Sequence, residues 1–200
     1  MDITVVIPLY NEEESLPELH AWIKRVMESN QFSYEIIFIN DGSTDHSWNV
    51  IEDLAGKNPN VKGIKFRRNY GKSPALYCGF AEAEGDVVIT MDADLQDPPA
   101  LIPQMLEKWE EGYEDVYAER LDRGKESFLR KQLSLMYYSL LQKSTKVDVL
   151  KNVGDFRLLD KRCIEALRKI RETERYTKGM FSWIGFKKYS IKFDRANRVM

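Results

Sequence analysis

Apolar residues in the first part of the chain follow two alternating rhythms. The runs "ITVVIPLY" (3–10), "YEIIFIND" (34–41), "VKGIKF" (61–66) and "DVVITMD" (86–92) are short, and most are dense in β-branched residues. Short dense runs of this kind predict buried strands. Between them lie longer stretches with helical spacing. In "EEESLPELHAWIKRVMES" (12–29), Leu16, Leu19, Trp22, Ile23 and Val26 share one face. "GSTDHSWNVIEDLAG" (42–56) reads as a capped helix with Gly56 near its end, and "SPALYCGFAEAEG" (73–85) as another helix. Strands alternating with crossover helices predict an α/β fold with a largely parallel sheet covered on both faces.

After "EDVYAER" (114–120), a fifth strand-like piece, the rhythm changes. "ESFLRKQLSLMYYSLLQK" (126–143) is helical, with apolar residues flanked by basic ones. "GDFRLLDKRCIEALRKI" (154–170) reads as a short extended piece and then a helix, and residues 175–200 are basic and aromatic. The chain shows no internal repeat and no low-complexity segment.

Two hundred residues, 43% hydrophobic and 31% charged, suit one soluble globular domain. Two cysteines, Cys78 and Cys163, and two histidines, His20 and His46, argue against a Cys/His zinc site and fit a reduced, cytoplasmic compartment. Met1-Asp2 leads straight into a strand-like run, so no signal peptide is expected, and no run of eighteen apolar residues exists. The net charge of −2 hides a division. Residues 1–119 carry 9 Lys and Arg against 23 Asp and Glu, a balance of −14, whereas residues 120–200 carry 21 against 9, a balance of +12. That asymmetry points the second part toward an anionic partner such as a membrane surface, a phosphate or a nucleic acid, unless the two parts cancel by folding together.

Chemistry collects where the predicted strands end. The first ends in "PLYNEEE", the second in "NDGSTD", the third in "RRNYGKS" and the fourth in "DADLQD". In open parallel sheets ligands bind beyond these carboxyl ends, so one crevice is expected to gather Tyr10, Glu12, Asp41, Lys72, Asp92 and Asp94. GxGxxG and GxxxxGK[ST] are both absent, which removes the dinucleotide fingerprint and the Walker phosphate loop. Crowded carboxylates repel unless a cation neutralises them, and Mg2+ or Mn2+ takes one or two carboxylates and fills its remaining positions with phosphate and water. Asp92-x-Asp94 is therefore read as the seat of a divalent ion carrying a diphosphate. Asp97, before Pro98-Pro99, reads instead as a helix N-cap, and Asp41 to Asp45 also reads as a turn and cap.

Five ordered motifs, "VVIPLYNEEESL", "NDGSTDHSW", "RNYGKSPAL", "MDADLQDPP" and "NVGDFRLLD", resemble the family 2 inverting glycosyltransferases of GT-A fold. More narrowly they resemble the polyprenyl-phosphate glycosyltransferases, which include dolichyl-phosphate mannose synthases and bacterial undecaprenyl-phosphate glucosyltransferases. The resemblance implies a nucleotide-sugar donor, UDP-linked by analogy with bacterial relatives. Pro8, Tyr10 and Glu12 match the family's base-binding opening and Asp41 its base-contacting aspartate. Lys72 joins them at the nucleotide. Asp92 and Asp94 match the metal- and diphosphate-binding pair, with Gln96 close by, and Asp155 falls at the catalytic aspartate. Residues 1–119 would then bind the nucleotide sugar. Residues 120–200 would form the acceptor-binding, membrane-facing part of the same domain, and a transmembrane region is expected beyond Met200.

Inverting transfer is a single in-line displacement at the sugar C1. A lipid phosphate, with a second pKa of about 6, is mostly dianionic at neutral pH and does not obviously need a general base; a hydroxyl acceptor does. The first reading is transfer to a polyprenyl phosphate at the cytoplasmic membrane face. The alternative is extension of a glycan through a hydroxyl, with Asp155 as obligatory base. A phosphate acceptor calls for cations, and Arg120, Arg130, Arg195 and Arg198 are the candidates because guanidinium forks match phosphate oxygens. The helix at 126–143 is read either as an interfacial helix, apolar side down, or as one that packs on the sheet or forms a dimer contact. Nucleic-acid binding is disfavoured, because the aromatics of the basic segment lie among aliphatics rather than in a stacking platform. Trp183, in "SWIGF", fits either the family pattern or plain core. Val116 to Arg120 departs from the small, Gly-rich strand end common among relatives.

Overall fold

The computed structural model describes residues 2–121, 153–170 and 177–193. In chain order these form β1 (Asp2–Leu9), α1 (Leu16–Ser29), β2 (Ser33–Asn40), α2 (Ser47–Lys57), β3 (Val61–Lys65), α3 (Lys72–Glu82), β4 (Val87–Thr90), a turn of 3-10 helix (Pro99–Leu101), α4 (Ile102–Glu110), β5 (Asp115–Arg120), β6 (Val153–Asp160), α5 (Lys161–Lys169), α6 (Thr177–Trp183) and β7 (Lys188–Phe193). The segment 126–143, and with it Arg130, lies outside the described residues, as do Arg195 and Arg198.

The strands form one sheet in the order β3-β2-β1-β4-β6-β5-β7. β1 pairs in parallel with β2 and β4, and β2 with β3, as the alternation of strands and crossover helices predicts. β6 runs antiparallel to both β4 and β5, and β7 lies parallel to β5. This reversal carries Asp155, near the start of β6, to the end of the sheet where β4 finishes: Thr90 pairs with Arg157, and the Thr90 hydroxyl donates to the Asp155 carbonyl. β5, which straddles residue 119, and β6 share one sheet.

Side chains of β1 alternate between two cores. Ile3, Val5, Ile7 and Leu9 pack with α1 and α4, whereas Val6 packs with α3, α5 and α6 on the other face. A strand buried on both faces needs the near-continuous apolar run that β1 carries. On α1 the fully buried face is Leu16, Leu19, Ile23 and Met27, while Trp22 and Val26 are only partly covered. α3 lies so close to β1 that a Cβ on Gly79 would stand 2.3 Å from Val6 Cγ1. α2 starts one residue after His46, which makes no capping side-chain bond; the Asp45 carboxylate accepts from the Ser47 N–H and hydroxyl instead. Among the described residues no helix is long and apolar enough to cross a membrane.

Candidate active site

The loops after β1, β2, β3 and β4 enclose a cavity of 330 Å³ at the carboxyl end of the sheet. Pro8, Tyr10, Glu12, Asp41, Lys72, Asp92 and Asp94 line it, so the gathering of strand ends expected from the sequence is observed. Leu9, Asn69, Gly71 and Ala93 complete the wall. Asn69 escaped the sequence reading, although it stands inside the quoted strand end "RRNYGKS" between two arginines and a tyrosine.

Hydrogen bonds tie the loops to one another. Asn11, in a left-handed conformation with φ of 56°, donates its N–H to the Ser43 hydroxyl and accepts from the Thr44 N–H. Glu12 donates its N–H to the Ser47 hydroxyl, and its carboxylate accepts from the Ser15 hydroxyl. Asp41 is buried, and its two oxygens accept the Tyr70 N–H at 2.7 Å and the Gly71 N–H at 2.8 Å. Asp41 thus holds the β3–α3 loop against the end of β2, in addition to facing the cavity. Gly42 lies under the same loop with φ of +71°, and a Cβ there would stand 2.4 Å from the Arg68 carbonyl carbon. Tyr10 is 44% exposed, which leaves an aromatic face open beside the cavity.

The carboxylates after β4 are arranged by their own loop. Asp94 accepts the Gln96 N–H at 3.2 Å, and Asp97 accepts the Asp92 N–H at 3.1 Å. Asp97 does not cap a helix, contrary to expectation. The 3-10 turn follows Pro98 without any side-chain cap, and the Asp97 carboxylate is buried beneath the loop, 3.5 Å from Arg120 Nη2. Burial first, and then the nearby Asp92 carboxylate, push Asp97 up to about 6. Arg120 therefore sits against Asp97 and near Gly154, not in the cavity wall.

Lys72, the first residue of α3, bridges the ends of two strands. Its ammonium pairs with the Asp92 carboxylate and, at 2.6 Å, with Asp155 Oδ2. Burial lowers its pKa, but attraction to Asp92 and Asp155 outweighs that and raises it overall. A lysine drawn to both carboxylates keeps Asp155 fixed beside the cavity.

These residues suit a hard divalent cation. Asp92 and Asp94 offer carboxylate oxygens at the cavity edge, and the buried Gln96 Oε1 has no hydrogen-bond partner. Among the described residues no group of three or more His, Cys, Asp or Glu that could hold a metal ion is found. Trp183 is 68% exposed, so the plain-core reading of that residue does not hold.

A family model described as Glycosyl transferase family 2 matches residues 4–168. The chain belongs to this family. The bactoprenol glucosyl transferase of Shigella phage SfV is 39% identical over 199 residues, which cover 100% of this chain and 65% of that protein. An uncharacterized glycosyltransferase of Bacillus subtilis, YkcC, is 40% identical over 196 residues, 98% of this chain and 61% of that protein. The chain thus spans less than two thirds of either relative. Among solved structures, the mannosyltransferase of Pyrobaculum calidifontis in complex with GDP-Man and Mn2+ is similar with a TM-score of 0.69 at 17% identity, over 99% of this chain and 57% of that one. Glucosyl-3-phosphoglycerate synthase of Mycobacterium tuberculosis, in complex with Mn2+, UDP-glucose and phosphoglyceric acid, gives a TM-score of 0.65 at 20% identity, over 100% and 72%. Those two likenesses establish the fold, the mostly parallel, helix-flanked GT-A sheet expected from the sequence.

Proposed function

We propose that this glycosyltransferase chain moves a sugar from a nucleotide sugar, UDP-linked, to a polyprenyl phosphate at the cytoplasmic face of a membrane, with inversion at C1 and with Mg2+ or Mn2+. The observation that carries the reading is the convergence of Asp92, Asp94, Lys72 and Asp155 beside a cavity built from four strand-end loops. The naming of full-length relatives as bactoprenol glucosyl transferases supports the acceptor, and the nucleotide sugars and Mn2+ in the solved structures support the donor and the metal.

In this reading Pro8, Tyr10, Glu12, Asp41 and Asn69 receive the nucleoside, and Tyr10 offers the base an aromatic face. Asp92 and Asp94, with Gln96 next to them, hold the divalent ion. When bound, that ion neutralises the negative charge that grows on the leaving diphosphate. Lys72 adds a cation from the protein itself. Asp155, kept in place by Lys72, orients the acceptor. With a phosphate acceptor it has no proton to remove, since the acceptor is already mostly ionised at neutral pH. Arg120, anchored by Asp97, together with Arg130, Arg195 and Arg198, provides the cations for the acceptor phosphate. The net basic balance of residues 120–200 suits an anionic membrane surface.

Incubation with labelled UDP-sugars and undecaprenyl phosphate in vesicles tests the reading. Label is expected in the lipid fraction, and Asp94→Asn removes it. Asp155→Asn retains part of the activity with the lipid phosphate. A hydroxyl-acceptor enzyme would instead lose about 10²–10⁴-fold in that variant for want of a general base, and would label a glycan rather than lipid.

A further inference from the structure

Lys72 occupies the place where the site needs positive charge. The strand order β1-β4-β6 brings the ends of β4 and β6 together, and with them the carboxylates of Asp92 and Asp155. Two carboxylates meeting across one gap repel, and the fold answers with an ammonium between them: Lys72 Nζ contacts Asp92 Oδ1 and stands 2.6 Å from Asp155 Oδ2. Asp92 is also one of the two carboxylates that suit a divalent ion. An ammonium and a divalent cation cannot share one carboxylate oxygen without strong repulsion. Lysine, a point charge on a flexible four-carbon stem at the open start of α3, can leave such a position where a planar arginine fork fits less readily.

We propose that Lys72 is the resident counter-ion of Asp92 and Asp155 and sets the order in which metal and nucleotide bind. Its ammonium shields Asp92 from a divalent cation on its own and releases it when a nucleotide diphosphate enters and offers the lysine its phosphate oxygens. The inference rests on the donor-site reading above and deepens it. It makes Lys72 a diphosphate-binding residue that holds Asp92 and Asp155 together until the nucleotide enters, so that metal and diphosphate take their places together.

The test is Mn2+ binding by the whole chain without nucleotide, read from the loss of the free-ion EPR signal, in wild type and in Lys72→Met and Lys72→Gln. Removing the ammonium is expected to tighten Mn2+ alone by about tenfold or more, because the competing charge has gone. The same variants are expected to bind UDP more weakly in EDTA, because the diphosphate has lost its cation. A lysine with only a structural role moves both affinities downward, so Mn2+ binding that is unchanged or weaker in a folded variant overturns the proposal. Should neither variant fold, side-chain NMR of Lys72 in the wild type decides. The proposal expects its ammonium signal to hold with Mg2+ alone and to shift when UDP joins, and a shift with Mg2+ alone overturns it. Failure of the donor-site reading looks different: wild type would then bind neither UDP nor GDP, with or without Mn2+.

Discussion

At the scale of single residues, two buried charged groups carry consequences beyond the cavity. Asp41 spends both oxygens on backbone N–H groups of the β3–α3 loop. Asp41→Asn would turn one acceptor into a donor that faces another donor. The expected cost is about 1–3 kcal/mol of stability, with a matching loss of nucleotide binding, both measurable by urea unfolding with and without UDP and Mn2+. Arg157 is the second case. It is buried with Asp115, at 3.1 Å, and its guanidinium lies 3.9 Å from the centre of the Phe181 ring. Removing one partner leaves a bare charge in the core, so Asp115→Ala is expected to cost about 3–5 kcal/mol, whereas Asp115→Leu combined with Arg157→Met costs far less. Equal losses in the single and double variants would contradict this account. Asp92, Asp94 and Asp155 stood out in the sequence because they fall in ordered motifs, and the fold brings them together. The sequence concealed the burial of Arg157 and the second task of Asp41, since both depend on what the fold lays against them.

At the scale of elements, the alternation of apolar runs was sufficient to place β1 to β4 and the helices between them. A strand that lies between two layers must be apolar on both sides, and that leaves a readable trace. The reversed direction of β6 left none. "GDFRLLD" reads as extended, but nothing local states that it runs antiparallel between β4 and β5 and so delivers Asp155 to the end of β4. Asp97 misled for a related reason: an aspartate before two prolines is a common cap, yet here burial beside Arg120 and the Asp92 N–H decided its place. Element contacts also separate two glycines of similar appearance. Gly79, where a Cβ would meet Val6 at 2.3 Å, allows α3 to lie on β1, and Gly79→Ala is expected to cost about 1–3 kcal/mol through overpacking. Gly56 in α2 has nothing within 4 Å of its would-be Cβ, so Gly56→Ala is expected to stabilise by about 0.5–1 kcal/mol. Thermal unfolding of the two variants, which should move in opposite directions, checks the pair.

At the scale of the molecule, a GT-A sheet presents four strand-end loops to one cavity. The acidic balance of residues 1–119 and the basic balance of residues 120–200 suit the proposed metal-bridged donor and the proposed anionic acceptor respectively. The residues that line the cavity were legible because they sit at strand ends and the fold rule says where strand ends meet. Of the acceptor candidates only Arg120 falls among the described residues, and it is found against Asp97. Metal-bridged nucleotide binding at this cavity is tested by the melting temperature of the chain with UDP and with GDP, each in Mn2+ and in EDTA, for wild type and Asp94→Asn. A rise is expected with UDP that is larger in Mn2+ than in EDTA and whose metal-dependent part is lost in Asp94→Asn. At a hundred times the dissociation constant the stabilisation amounts to about 2.7 kcal/mol. A folded sample whose melting temperature stays unmoved by either nucleotide in Mn2+ would contradict metal-bridged nucleotide binding.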